Sequence, residues 1–303
     1  MNNRVIYSLL LGLIGFSFNS DATSLSLPPG HGRFFLEGDG TVSLQEWGSH
    51  RRLKVSYRNK EKDYSEEGRK AINQFFGADQ YGDRIALRLI ALLDYLEDNY
   101  RIRPIQIRSG YRSPEENEQL RKAGKMAGKA SLHKDGLAAD LQLNYNLARK
   151  IWQELRDKDC CGLGFYHTKT LHLDTGKPRF WDETSSKTGT TIADHNKRIF
   201  LTTDFDRYPP GQPAEISFVQ VTDYPFGVKE VSLVSEGGGK QPLFRPKEGC
   251  ALVKEKGETF SVLLPGDVSL GRARLQALFC QKPFAEMPDE VTSNFIEIER
   301  KNQ

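Results

Sequence analysis

The sequence predicts an α+β domain followed by a small all-β, sandwich-like domain. Three observations predict it. Runs with helical spacing fall in the first half, short alternating runs occur throughout, and a polar, Ser/Thr-rich stretch from Asp182 to Asn196 separates the two regimes. A chain of 303 residues with 27% charged and 38% hydrophobic residues has the size and composition of two such globular domains. Its 43 Lys plus Arg against 40 Asp plus Glu leave a net charge of +3, and no long basic tract is present, which argues against a nucleic-acid partner.

At the N-terminus, Arg4 precedes the apolar run Val5 to Phe18, and Ser20-Asp21-Ala22 then offers small residues where a signal peptidase cuts. The run is too short to span a bilayer, which takes about 20 residues. Residues 1–22 are therefore expected to be a cleavable secretory signal, leaving a periplasmic or secreted chain with no membrane span. No Cys follows the run, which argues against a lipoprotein anchor.

Thr41 to Leu44 and Leu53 to Tyr57 alternate as short strands, with Glu37-Gly38-Asp39-Gly40 and Gly48 as turns. Asp83 to Asn99 reads as a helix because Leu89, Leu92, Leu93 and Leu96 recur at helical spacing. Ile105 and Ile107 alternate in a strand that runs into Ser109-Gly110-Tyr111-Arg112. The next helix starts clearly: Ser113 suits the N-cap, Pro114 the first helical position and Glu116 the third, a capping box, with Gly124 as the stop. Ala138 to Leu143 and Thr170 to Asp174 alternate as strands on either side of a helix from about Leu147 to Arg156. Beyond the linker, Ala214 to Val221, Val228 to Val234, Phe260 to Leu264, Arg274 to Cys280 and Phe295 to Ile298 are strand-like runs between Gly/Pro turns, with no convincing helix.

Export would place the four cysteines in an oxidising compartment. Four cysteines allow three pairings, and the sequence does not choose among them; Cys250 with Cys280 is the plausible bridge because both lie late in the chain, and neighbours such as Cys160 and Cys161 rarely bond each other, the geometry being strained. No C-x-x-C occurs, so neither a zinc ribbon nor a dithiol redox site is indicated.

Two of the six histidines sit in segments that read as metal-ligand motifs: His133 in Ser131-Leu132-His133-Lys134-Asp135-Gly136-Leu137-Ala138-Ala139-Asp140, and His172 in Leu171-His172-Leu173-Asp174-Thr175-Gly176. Two imidazoles and a carboxylate suit a catalytic zinc, which takes three protein ligands and keeps a fourth position open. His133, Asp140 and His172 would supply that set. Asp140 opens an alternating strand and His133 lies in the Gly-containing loop before it, so the two can fold back onto one ion. Asp174, two residues beyond His172, shares its face, where a carboxylate either accepts a proton from activated water or orients a ligand.

Ser109-Gly110-Tyr111-Arg112-Ser113, then Ser131-Leu132-His133 with Gly136 to Asp140, then Gly162-Leu163-Gly164-Phe165-Tyr166, then His172 to Gly176 with Arg179 and Trp181, occur in an order that resembles the zinc murein peptidases related to D-Ala-D-Ala carboxypeptidases and dipeptidases. Their superfamily also holds lysostaphin-type enzymes and the hedgehog signalling domain, and the likeness is greatest to the exported murein endopeptidases. The resemblance covers Gly32 to Trp181. It implies a small antiparallel sheet with flanking helices, of the hedgehog and D-Ala-D-Ala peptidase type, for residues 32–181; the composition beyond it gives residues 182–196 as linker and 197–303 as a β-rich companion. The resemblance also implies zinc on His133, Asp140 and His172, and a substrate-contacting or oxyanion-stabilising role for Arg112, whose plainer alternative is to hold Glu115 or Glu116 at the helix start.

Two positions depart from the pattern. Many relatives carry the general base three residues before the last histidine, where this chain has Lys169, which leaves the base role to Asp174 by inference. Cys160-Cys161 stands where Gly-rich sequence is expected. Ser109 and Tyr111 are expected to shape the loop. His167 is either a proton donor or a solvated loop residue, and His31, His50 and His195 have no assigned role. The expected function is an exported zinc peptidase acting on an amide bond of peptidoglycan stem peptides or cross-links, as endopeptidase or carboxypeptidase. The alternatives are a zinc-containing, non-hydrolytic protein that binds peptidoglycan or another protein, as Lys169 hints, and a structural envelope protein whose late β domain recognises a partner.

Overall fold

A computed structural model describes residues 32–59, 63–125, 127–166, 169–186 and 190–299. The signal segment expected at 1–22, together with His31 and His167, lies outside those residues.

The first half is built on β1 (Thr41–Glu46), β2 (Arg52–Ser56), β3 (Ile105–Ser109), β4 (Ala138–Gln142), β5 (Gly162–Tyr166), β6 (Thr170–Asp174) and β7 (Arg179–Asp182). These form one sheet in the order β2-β1-β3-β4-β6-β5-β7. It is mixed where an antiparallel sheet was expected: β1 runs parallel to β3 and β5 parallel to β7. The reason is connectivity. The chain leaves β1 and returns to β3 over two helices, and after the β5–β6 hairpin it reaches β7 on the far edge of β5.

The helices are α1 (Glu66–Phe76), α2 (Leu87–Tyr100), α3 (Pro114–Lys122) and α4 (Tyr145–Asp157). The sequence reading missed α1, although Ser65 caps it by accepting from the Gly68 N–H and acidic Glu66 and Glu67 occupy its first turn. Helix α2 starts later than the leucine spacing suggested. Asp83 is tied by the Tyr111 hydroxyl, and the Ile85 N–H donates to Asn73 Oδ1, so the chain before Ala86 stays out of the helix. The capping box of α3 is present in full, Ser113 accepting from the Glu116 N–H while Glu116 accepts from the Ser113 N–H.

Side chains of α1, α2 and α4 share one core with Val42, Leu44, Ile105, Ile107, Leu141, Leu163, Leu171 and Leu173. Strand residues alternate between faces, so the residues between these, including Asp140, Gly164 and His172, lie on the opposite face. Strand β4 begins at Ala138, so Asp140 is its central residue rather than its opening one.

In the second half, β8 (Phe200–Thr203), β10 (Pro213–Val219), β11 (Phe226–Ser235), β12 (Lys240–Phe244), β14 (Thr259–Leu263), β15 (Gly271–Gln281) and β16 (Glu290–Ile298) follow the path β12-β11-β15-β16-β8-β10-β14. Short strands β9 (Arg207–Tyr208) and β13 (Ala251–Val253) pair with β16 and β11. The two halves of the path join where Ser293 lies opposite Leu201, and they curl over a second core. There the Phe218 ring on β10 meets Phe226 on β11 at 5.2 Å and Phe279 on β15 at 5.8 Å, the sandwich-like packing expected from the strand spacing. Among the described residues of this half the helical structure is a 3-10 segment, Thr191–Asn196, inside the stretch read as linker.

Cys250 and Cys280 are bonded, as expected. Cys160 and Cys161 are also bonded to each other, against expectation. They sit at the turn from α4 into β5, where Asp159 adopts a left-handed backbone (φ 50°), and the other two cysteines of the chain are already joined. Among the described residues, no helix is long and apolar enough to cross a membrane.

Candidate metal centre

The face of the first sheet away from α1, α2 and α4 carries two of the three sequence-predicted ligands, and the third lies beside it. Asp140 on β4 lies directly opposite His172 on β6 in the antiparallel register, and His133 reaches them from the loop before β4. His133 Nε2 is 3.3 Å from His172 Nδ1, His172 Nδ1 is 2.8 Å from Asp140 Oδ1, and His133 Nε2 is 3.4 Å from the same oxygen. Both imidazoles are buried.

The hydrogen bonds behind the rings decide what these atoms can do. His133 Nδ1 donates to the Gly110 carbonyl at 2.7 Å, which leaves Nε2 as a lone pair. His172 Nε2 donates to Asp174 Oδ2 at 2.9 Å, which leaves Nδ1 as a lone pair. Two nitrogen lone pairs and a carboxylate oxygen therefore converge with no hydrogen between them, an arrangement that repels itself until a cation enters. The ring nitrogens and carboxylate oxygen lie within 4.8 Å of one another, a set that could hold a metal ion, and they fit one by donor chemistry. Without a metal, a proton is the substitute. Burial disfavours it on His172, but the hydrogen bonds to Asp140 and Asp174 outweigh burial and raise that ring's pKa, while burial lowers that of His133.

Asp174, for which a base or an orienting role was expected, lies behind His172 rather than in the cleft. It is fully buried behind His172, where Arg179 donates to both its oxygens, at 2.9 and 2.6 Å, and the Gly176 N–H donates at 3.0 Å. Burial pushes its pKa up, but Arg179 and His172 more than reverse that and hold it far below the usual carboxylate range. Its oxygens are engaged by the histidine, the arginine and the backbone, so it sets the His172 tautomer and orientation.

Arg112 leaves the α3 carboxylates alone. Its Nη2 donates to Asp140 Oδ2 at 2.9 Å and its Nε to Ser109 Oγ at 2.9 Å, while Glu116 is committed to the cap. Ser109 thus positions Arg112, and the Tyr111 hydroxyl binds Asp83 away from the metal group. Lys169 sits at the β5–β6 turn with a left-handed backbone (φ 70°).

Five further contributors have no role assigned from the sequence. Gly162 faces Asp174 across β5 and β6, and a Cβ there would lie 2.3 Å from the carboxylate. Gly164 faces His172, and a Cβ there would lie 2.6 Å from the Trp181 ring, which packs tilted at 50° against the His172 ring with centroids 5.1 Å apart. Trp181 Nε1 donates to the Tyr166 hydroxyl at 3.1 Å, leaving that hydroxyl's own proton available at the cleft, where burial raises its pKa. Arg179 is the clamp on Asp174. The Gly-Leu-Gly spacing two residues apart, opposite a His-x-Asp strand, is the signal that points to the glycines.

His133, Asp140 and His172, with Arg112, Tyr166, Arg179 and Trp181, line a cleft of about 770 Å³. A family model described as peptidoglycan L,D-endopeptidase MepK matches residues 39–181. Peptidoglycan L,D-endopeptidase MepK of Escherichia coli K12 is 30% identical over 126 residues, 39% of this chain and 67% of the relative. The chain belongs to this family. The proteins of the same name from Escherichia coli O157:H7 and Shigella flexneri match to the same extent. All the metal-centre residues fall inside the matched region, and the second, β-rich half lies beyond it.

Proposed function

We propose that this chain is an exported, zinc-dependent peptidase that hydrolyses an amide bond in peptidoglycan stem peptides or their cross-links, with the L,D-endopeptidase specificity its relatives are named for. The carrying observation is the set of three converging lone pairs at His133, Asp140 and His172, in a chain of a peptidoglycan endopeptidase family. Two imidazoles and one carboxylate suit zinc with an open position. When bound, zinc supplies Lewis acidity toward a carbonyl oxygen and acidifies water near neutral pH.

The chain's own groups do the rest. His133 and His172 act as neutral ligands because Gly110 and Asp174 take their other ring protons. Arg112 neutralises the second oxygen of Asp140 and, with the Tyr166 hydroxyl, lines the cleft as a donor for a carbonyl oxygen on which charge builds. Asp174 is a positioning residue. In this reading residues 1–22 direct export to the periplasm or beyond, 32–181 carry the chemistry, 182–196 connect, and 197–303 form the companion domain.

Incubating zinc-loaded mature protein with purified sacculi, then separating the soluble muropeptides, tests the proposal. Cross-linked dimers are expected to fall and monomers to rise, with both changes abolished by a chelator and restored by zinc. His133→Ala is expected to lose bound zinc and product together. No product from protein shown to contain metal would leave a non-hydrolytic binding protein as the answer.

A further inference from the structure

The cleft has two walls of different origin. One belongs to the family-matched sheet; the other brings Ile192, Ala193, Arg198 and Gln220 from beyond residue 181. The second wall is fastened to the first. The Gln220 N–H donates to Asp135 Oδ2 at 3.0 Å, its side-chain amide donates to the Ala130 carbonyl at 3.2 Å, and Lys129 pairs with Asp194 at 3.0 Å. Beneath these contacts Phe200 and Val219 pack on Leu132, Leu137 and Ala138, a small core shared by both halves. Arg198, two residues before Phe200, is thereby held beside the metal centre rather than carried on a free arm.

Of the other cations that line the cleft, Arg112, Arg179 and Lys129 are neutralised by Asp140, Asp174 and Asp194, while Arg108 and Lys125 have no carboxylate partner among the described residues but are exposed to solvent. Arg198 is half-buried and has no such partner among the described residues. Burial, then the charge of Arg179, pushes its pKa down, and the nearby Asp174 is already spent on Arg179 and His172. A partly desolvated guanidinium without a counter-ion costs stability, and its planar fork matches a carboxylate.

We propose that Arg198 binds a carboxylate of the peptide substrate, so that the β-rich half completes the substrate cleft and selects stem peptides with a free acid near the scissile amide. The inference rests on the peptidase reading above. The carboxylate is either a side-chain acid or a chain terminus, chemistry that one guanidinium reads equally.

The test uses the full mature protein, zinc-loaded, and one cross-linked muropeptide dimer in three forms: free acid, amidated at its side-chain carboxyls, and amidated at its chain termini. Arg198→Gln is expected to raise KM for the free acid about 10-fold, the worth of a charge-assisted hydrogen bond, with a smaller effect on kcat. Wild-type protein should show the same rise with the one amidated form that removes the bound acid, and Arg198→Gln should no longer distinguish that form from the free acid. Equal KM values for wild type and variant on the free acid would overturn the proposal. Calorimetric binding of the same probes reads the contact without turnover. Failure of the wild type to cleave any form therefore sinks the peptidase reading alone, whereas equal affinities of wild type and variant for the free acid sink the Arg198 role. Should Arg198→Gln not fold, Arg198→Lys keeps the charge but loses the fork, and an unchanged affinity in that variant counts equally against the proposal.

Discussion

Asp174 shows how position overrides residue type. A carboxylate two residues past a metal-ligand histidine could be a base or an orienting group, and sequence spacing serves both. Its burial and its grip by Arg179 support the orienting role proposed above, because a carboxylate held by a guanidinium and a histidine has little tendency to take a further proton. Asp174→Asn is accordingly expected to weaken zinc affinity about 10- to 100-fold, measured by competition with a chelating dye, while turnover at saturating zinc stays within about 10-fold of wild type. Turnover lost with zinc fully bound would return the base role to Asp174. The three proposed ligands were legible because each sits in a short motif whose residue types are rare and whose order is distinctive. Gly162 and Gly164 were harder to interpret, since a glycine's contribution is the space it leaves, and that space is defined by Asp174 and Trp181 from other strands.

Among the elements, α2 carries an unusual burden on its sheet-facing side. Asp94, in the middle of this helix, is buried against the turn before β1, where it accepts from the Gly40 N–H at 2.8 Å and the Tyr57 hydroxyl at 2.7 Å. Burial raises its pKa to about 6 despite those bonds. Between the unfolded value near 4 and this folded value, the folded chain holds more proton than the unfolded one, so stability falls as pH rises through that window. The loss is ~1–3 kcal/mol, present above about pH 6 and absent below about pH 4. Asp94→Asn keeps an oxygen for both donors and is expected to flatten this dependence in urea unfolding curves taken from pH 4 to 7; an unchanged slope would assign it to other groups. Strands β1 to β4 and β6 and helices α2 to α4 were visible as alternation, leucine spacing and caps, whereas β5, with two glycines in five residues, gave no alternation to read. Helix α1 was not, because its apolar residues Ile72, Phe75 and Phe76 form a short stripe within a polar segment whose burial depends on the sheet beneath.

At the scale of the molecule, the two halves are joined by buried polar contacts as well as apolar ones. Arg88 on α2 pairs with Asp206 at 2.8 Å and donates to Thr202, Thr203 and the Phe205 carbonyl, all in the second half. The segment after Gly32 also crosses over: the Arg33 carbonyl accepts from the Asp206 and Arg207 N–H groups, and the Arg33 guanidinium lies 3.6 Å from the centre of the Phe205 ring. Arg88→Ala strands the Asp206 carboxylate in a buried site, and is expected to cost ~3–5 kcal/mol in equilibrium unfolding monitored by tryptophan fluorescence. A loss below ~1 kcal/mol would show the junction to be loosely coupled to folding.

The sequence alone picked out the candidate ligand residues and most of the local elements, because residue types, caps and strand alternation are local and survive without knowledge of what packs where. It determined that the first half mixes helices with strands and that the second is β-rich. Tertiary structure decided the rest: which sheet pairs run parallel, that Asp174 is buried between His172 and Arg179, and that Cys160 bonds its neighbour. It also decided that residues from the second half wall the cleft. Each of these depends on the partner a residue meets across the fold, and that partner is set by chain connectivity and register rather than by the residue's own surroundings in sequence.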